Sequence, residues 1–218
     1  MHTDPPLSWS AASPAEVADA KRDLRTRLRA QRAEASSRRS AREADELASA
    51  APTLLGLARV SARDGGPLRI AAFDPTPREP DVHALLAALA EAGAELVLPL
   101  DGGDELDWAA WDARSALADS PARGFGREPR GPRLGPSALA GAALVLAPAL
   151  AVDRSGMRLG HGRGLYDRAL LHAPADAPVI AVVHPWEVLE HRRVPVEPHD
   201  RPVSGALTTG GLEGLPRP

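Results

Sequence analysis

The sequence predicts an α/β fold: three α/β/α layers, a mostly parallel sheet of Rossmann-like character covered on both faces, and a long N-terminal helix. Three observations predict it. Four short apolar runs, "LRIAAF" (68–73), "AELVLPL" (94–100), "AALVLAP" (142–148) and "PVIAVV" (178–183), are too continuous for strands with one wet face and read as strands buried on both. Helical patterns separate several of them, which is β-α-β order. A glycine-rich stretch, "RLGHGRGLYDR" (158–168), then falls between the third run and a short helix, at the carboxyl end of a parallel sheet, where open α/β sheets bind ligands.

Taken in order, residues 1–13 are rich in Pro and Ser and read as a tail. Ser13, Pro14 and Glu16 supply an N-cap, a first-turn proline and a capping box, so a helix starts there and is expected to run to about Ala50. It carries Val17, Leu24 and Leu28 on one stripe. Lys21 and Arg25, four residues apart, read as exposed positions on a neighbouring stripe from which both cations reach one ligand. The strand at 68–73 leads to a helix over 80–93 that closes on Gly93, and then to the strand at 94–100. Residues 101–136, dense in Gly, Pro and Arg, read as irregular. The strand at 142–148, a helix from about Tyr166 and the strand at 178–183 complete the pattern. Residues 210–218 read as a second tail, leaving one domain over 14–209.

Composition narrows the function. With 44% hydrophobic residues in 218 the chain can build a proper core, and the lack of cysteine excludes disulfides and thiolate metal sites. No apolar run approaches the roughly 20 residues of a membrane span, and "MHTDPPLSWS" lacks the order of a secretory signal. A cytoplasmic protein with no membrane partner is expected. Residues 21–42 hold nine basic and two acidic side chains, which reads as a solvated helix face with intrahelical pairs. A net charge of −3 and 3% aromatics count against nucleic acid. Of 26 basic residues only Lys21 is lysine. Either a compact ammonium was kept where a planar guanidinium would not fit, or the lysine is a remnant of an arginine-biased composition.

Gly160, Gly162 and Gly164 expose backbone N–H groups to an anion, and Arg158 and Arg163 add guanidinium forks suited to phosphate oxygens. The loop therefore reads as a phosphate cradle. It is neither a Walker loop nor the G-x-G-x-x-G turn of dinucleotide sites. His161, His184 and His199 show no metal-ligand spacing.

"APALAVDRSGMRLGHGRGLYDRAL" (147–170) resembles the signature of the 5-formyltetrahydrofolate cyclo-ligase family, also called 5,10-methenyltetrahydrofolate synthetases. "KRDLR" (21–25), "REPDVHALL", "GFGREP" (124–129) and "VPVEPHDRPV" (194–203) resemble four further family segments in family order. The resemblance implies an isomerase/CoA-transferase-like architecture and a monomeric enzyme that uses ATP and Mg²⁺ to close 5-formyltetrahydrofolate to 5,10-methenyltetrahydrofolate. It implies that Lys21 and Arg25 hold ATP phosphates and that Arg158, Leu159, Gly160, His161, Gly162, Arg163, Gly164, Leu165 and Tyr166 form the nucleotide loop. Arg158, Arg163 and Tyr166 would be catalytic. Phe73, Glu79 and Tyr166 would meet the pterin, and Asp167 and Asp200 would bind Mg²⁺. Two departures stand out: Leu165 replaces a tyrosine, and Ser204 stands where family members often carry aspartate. The rival readings are a sugar-phosphate isomerase or CoA-transferase relative, and a non-catalytic regulator binding nucleic acid through residues 21–42.

Overall fold

The computed structural model describes residue 9 and residues 12–35, 41–62, 67–121 and 126–216. The tail reading of residues 1–13 therefore falls almost wholly outside the described residues. Helix α1 (Pro14–Ala35) opens on the expected capping box. The Ser13 N–H donates to the Glu16 carboxylate (2.7 Å), and the Glu16 N–H to Ser13 Oγ (3.4 Å).

The helix expected to run to about Ala50 is described in two parts. Residues 36–40 lie outside the described residues, α2 spans Ala41–Ala48, and a further helix, α3 (Ala51–Ser61), follows a turn. Pro52 in its first turn explains the restart: proline has no N–H to offer a preceding turn but suits the start of a helix.

All four apolar runs are strands. These are β1 (Arg69–Ala71), β2 (Glu95–Asp101), β6 (Ala142–Pro148) and β9 (Val179–Val182), with helix α4 (His83–Glu91) between β1 and β2 and α5 (Leu165–Ala169) before β9. Helix α4 ends where Gly93 takes φ +89°. Three strands of the main sheet were not expected. β3 (Leu106–Trp111) lies inside the stretch read as irregular, and β11 (Gly205–Thr208) and β12 (Gly211–Gly214) form the last hairpin. The sheet order is β12-β11-β9-β6-β1-β2-β3. Its interior pairs are parallel, and β3 and β12 close the two edges antiparallel. Residues 211–214, read as part of a tail, are thus an edge strand. Its glycines and single Leu hide a strand pattern that only pairing with β11 reveals.

Strand periodicity divides the core. Ile70, Leu96, Leu98, Leu144, Leu146 and Ile180 point to one face, under α2, α3 and α4. Ala71, Val97 and Val145 point to the other, under α5, the 3-10 turn Pro136–Gly141 and Trp108 of β3. Short pairings complete the chain: β4 (Ala118–Asp119) with β5 (Arg127–Glu128), and β7 (Ala151–Asp153) between β8 (Arg158–Leu159) and β10 (Val188–Leu189).

Leu28 of α1 packs on this small sheet with Ala151, Met157, Leu159 and Val194. A buried ion pair fixes the same helix. Arg32 donates to both Glu187 carboxylate oxygens (2.6 and 2.9 Å) and to the Ala149 carbonyl (2.5 Å). Helix α1 is thereby laid across the carboxyl end of the sheet. There β1 and β6 lie side by side, and their chains leave toward opposite edges, which opens a crevice.

Candidate active site

The crevice holds two clefts that share one wall, the glycine loop. The first is lined by Phe73, Asp74, Glu79, Pro148 and Tyr166 and is mainly apolar; the second lies between the loop and α1, with seven Lys and Arg side chains against three carboxylates. Arg158, Gly160, His161, Arg163, Gly164 and Asp167 face both.

The glycines now have a cause. A Cβ on Gly160 would stand 2.9 Å from Arg158 Nη1, while Gly162 has φ +112° beside the Arg25 guanidinium. Helix α1 reaches over this backbone: Arg25 Nε donates to the Gly160 carbonyl (3.0 Å) and Arg29 Nη2 to the His161 carbonyl (2.8 Å). Burial, then the neighbouring Arg29, press the Arg25 pKa down, against the pull of Asp200, Glu197 and Asp167. Such crowding of cations is relieved by an anionic ligand. Helix α5 has only five residues, so the loop N–H groups and arginines, rather than a helix dipole, supply the positive field.

Arg158 is buried, donates to Asp167 Oδ1 (2.7 Å) and leans on the Tyr166 ring, with 5.9 Å from its guanidinium carbon to the ring centroid. Among the described residues its Nε and the buried Tyr166 hydroxyl have no hydrogen-bond partner. Buried polar atoms without partners cost stability, and both residues line the first cleft. Burial, reinforced by the Glu79 charge, pushes the Tyr166 hydroxyl far up, so it stays a neutral donor. Trp108 braces the Tyr166 ring edge-on at 6.4 Å.

Glu79 is almost wholly buried. Burial raises its pKa, but His161 Nε2 (2.9 Å from Oε1) and the Thr76 N–H (2.8 Å from Oε2) outweigh that and hold the carboxyl below its ordinary range.

A family model for 5-formyltetrahydrofolate cyclo-ligases matches residues 17–209. The chain belongs to this family. It is 42% identical over 146 residues to the 5-formyltetrahydrofolate cyclo-ligase of Mycolicibacterium smegmatis, an alignment covering 64% of this chain and 72% of that one. The fold is that of the 5,10-methenyltetrahydrofolate synthetase of Aquifex aeolicus (TM-score 0.68, 23% identity, 91% of this chain and 94% of that one). A synthetase from Mycoplasma pneumoniae is similar in fold (TM-score 0.54, 17% identity, 84% and 94% covered).

Of the residues expected to form the nucleotide site, Lys21, Arg25, Arg158, Leu159, Gly160, His161, Gly162, Arg163 and Gly164 border the second cleft, whereas Leu165 and Tyr166 border the first, beside Phe73 and Glu79. Lys21 is the main correction. It is buried, not exposed, and its ammonium sits on Asp200 (2.7 and 2.6 Å) and Glu197 (2.7 Å). It occupies the buried stripe Val17-Lys21-Leu28-Arg32. Asp167 and Asp200, expected to share one ion, are engaged apart: Asp167 holds Arg158 and the Arg201 N–H, and Asp200 holds Lys21. Among the described residues the group with metal-ligand proximity is Glu197, His199 and Asp200.

Ser204 faces neither cleft. Its hydroxyl bridges the Val179 N–H (2.9 Å) and carbonyl (3.1 Å), so that departure leaves the clefts untouched. Leu165 is buried beside Tyr166 and α5.

Sequence reading missed Asp74 and Arg127. Arg127 grips both oxygens of buried Asp74 (2.9 and 2.8 Å), and His83 holds Asp74 and Asp81 (2.9 and 2.6 Å), which raises the His83 pKa. A polar residue directly after the β1 run was the available signal. In the "GFGREP" segment, Gly124 and Phe125 lie outside the described residues.

Proposed function

We propose that the protein converts 5-formyltetrahydrofolate and ATP to 5,10-methenyltetrahydrofolate, ADP and phosphate. One observation carries the reading: a mainly apolar cleft with a buried ionised carboxylate and a strongly cationic cleft share a single glycine wall. A reaction that passes a phosphoryl group from a nucleotide to a second substrate needs that adjacency. In this reading the pterin lies against Phe73 and Tyr166, with its N–H groups on Glu79, and the triphosphate lies under Arg25 and Arg29.

The formyl oxygen attacks the γ-phosphorus, and the bond from that phosphorus to the ADP oxygen breaks. N10 then attacks the activated carbon, its proton is lost and phosphate leaves as the ring closes. Arg158 and Arg163 neutralise the migrating group from both sides of the loop. The Arg158 Nε–H and Tyr166 hydroxyl, which have no partner among the described residues, provide further donors.

Mg²⁺ would arrive on the nucleotide and neutralise phosphate charge. Asp167 fits it, because Oδ2 takes no hydrogen bond among the described residues while Oδ1 is held by Arg158. Asp200 does not fit while Lys21 covers both its oxygens. The enzyme is read as cytoplasmic; none of the described helices is long and apolar enough to cross a membrane. It is also read as a monomer.

Purified protein with ATP, Mg²⁺ and (6S)-5-formyltetrahydrofolate should generate the near-ultraviolet absorbance of the methenyl product. Absence of product at saturating substrates would overturn the reading.

A further inference from the structure

The side chain of His161 belongs to the folate cleft, although its backbone belongs to the nucleotide loop. The imidazole Nε2 lies 2.9 Å from Glu79 Oε1 across 82 positions of sequence. Glu79 is ionised, and an ionised carboxylate only accepts hydrogen bonds, so Nε2 must carry the proton and donate. On the other oxygen the Thr76 N–H donates (2.8 Å). The backbone that presents the ring is itself clamped, since the carbonyls of Gly160 and His161 accept from Arg25 and Arg29. A side chain of the loop thus connects helix α1 to the buried acid of the other cleft.

Building on the cyclo-ligase reading, we propose that His161 is a positioning residue for Glu79: it fixes the carboxylate's orientation and keeps it ionised for the pterin. The bond leaves lone pairs on both oxygens for ring N–H groups. Without His161, burial of Glu79 is opposed mainly by Thr76. The other charged or titratable groups around the cleft are Asp74, in the segment after β1, with Arg127 of β5, and Arg158, Arg163, Tyr166 and Asp167 from β8, the loop and α5. Asp74 and Arg127 are paired with each other, as are Asp167 and Arg158. None of these replaces the imidazole bond on Oε1.

The sign of the pH effect follows. The carboxyl must be ionised to accept from the pterin, and in the native protein its pKa is held below the ordinary value. Removing the imidazole lets burial raise it, so the acid limb of kcat/KM for the folate moves to higher pH.

The test compares native protein, His161→Ala and His161→Gln between pH 5 and 8, by steady-state kinetics and by calorimetric binding of 5-formyltetrahydrofolate and of a non-hydrolysable ATP analogue. His161→Ala should raise the folate KM and Kd about tenfold, the effect of losing one hydrogen bond to a charged group, and shift the acid limb upward. ATP-analogue affinity should stay within about twofold. His161→Gln, which can still donate, should recover most of the folate affinity. Unchanged folate affinity and acid limb in His161→Ala, or equal weakening of both ligands, would overturn the positioning role while leaving the cyclo-ligase reading intact. A native protein that neither binds nor turns over the folate would overturn both.

Discussion

Lys21 shows how burial changes what a residue is for. From its type alone it reads as an exposed cation aimed at phosphates; in the fold it is 4% exposed and held by two carboxylates. Removing one member of a buried ion pair leaves the others uncompensated, typically costing about 3–5 kcal/mol. Lys21→Ala should therefore lower the melting temperature by roughly 6–20 °C, given about 2–4 °C per kcal/mol for a chain of this size. Partial exposure of Glu197 places the expected loss at the lower end. A calorimetric scan that superimposes on that of the native protein would show that the ammonium does not hold Asp200. The lone lysine is explained by its site: a compact ammonium fits between Asp200 and Glu197 within a helix stripe that otherwise packs Val17 and Leu28.

At the scale of elements, the glycine loop works because its neighbours come close from both sides. Two substitutions separate two causes. Gly162→Ala puts a side chain at φ +112° with only ordinary contact to Arg25, so the cost is backbone strain, about 1–3 kcal/mol, and stability and ATP affinity should fall together. Gly160→Ala meets Arg158 Nη1 at 2.9 Å. The side chain most readily displaced is Arg158, so kcat should fall about tenfold or more, on the scale of a misplaced charge-assisted contact, with a smaller change in melting temperature. Melting curves and ATP kinetics on both variants discriminate the two effects. The loop's place at the cleft wall was legible because three alternating glycines between arginines stand out in the sequence. Strand β3 was not, because Gly and Pro on either side broke up the alternation of "LDWAAW", and its partner β2 supplies the hydrogen bonds that make it a strand.

For the whole molecule, the sheet's two antiparallel edges frame a parallel interior, and the clefts lie at its carboxyl end, away from β12. A chain ending at residue 209 loses the β11–β12 ladder, the buried Leu215 and its N–H bond to Ser204. Exposing one Leu costs about 1.5–3 kcal/mol, and the truncated protein should melt roughly 3–12 °C lower. At 20 °C its KM for ATP should match that of the full chain, since none of the described residues 210–216 lines either cleft. A changed KM would mean that the edge strand supports the site.

The sequence by itself determined the four buried strands, the capping box of α1 and the glycine loop at residues 158–168, because each is a local pattern: an apolar run, a cap spaced by three, glycines between arginines. It also placed Phe73, Glu79 and Tyr166 together through family resemblance. Tertiary structure alone decided which cations are free and which are already paired. Lys21 meets Asp200 across 179 residues and His161 meets Glu79 across 82, and neither pairing leaves a trace in local spacing. The physical reason is that electrostatic partners in a buried site are chosen by which elements the packed sheet brings together, and a one-dimensional pattern records only what each element needs to form.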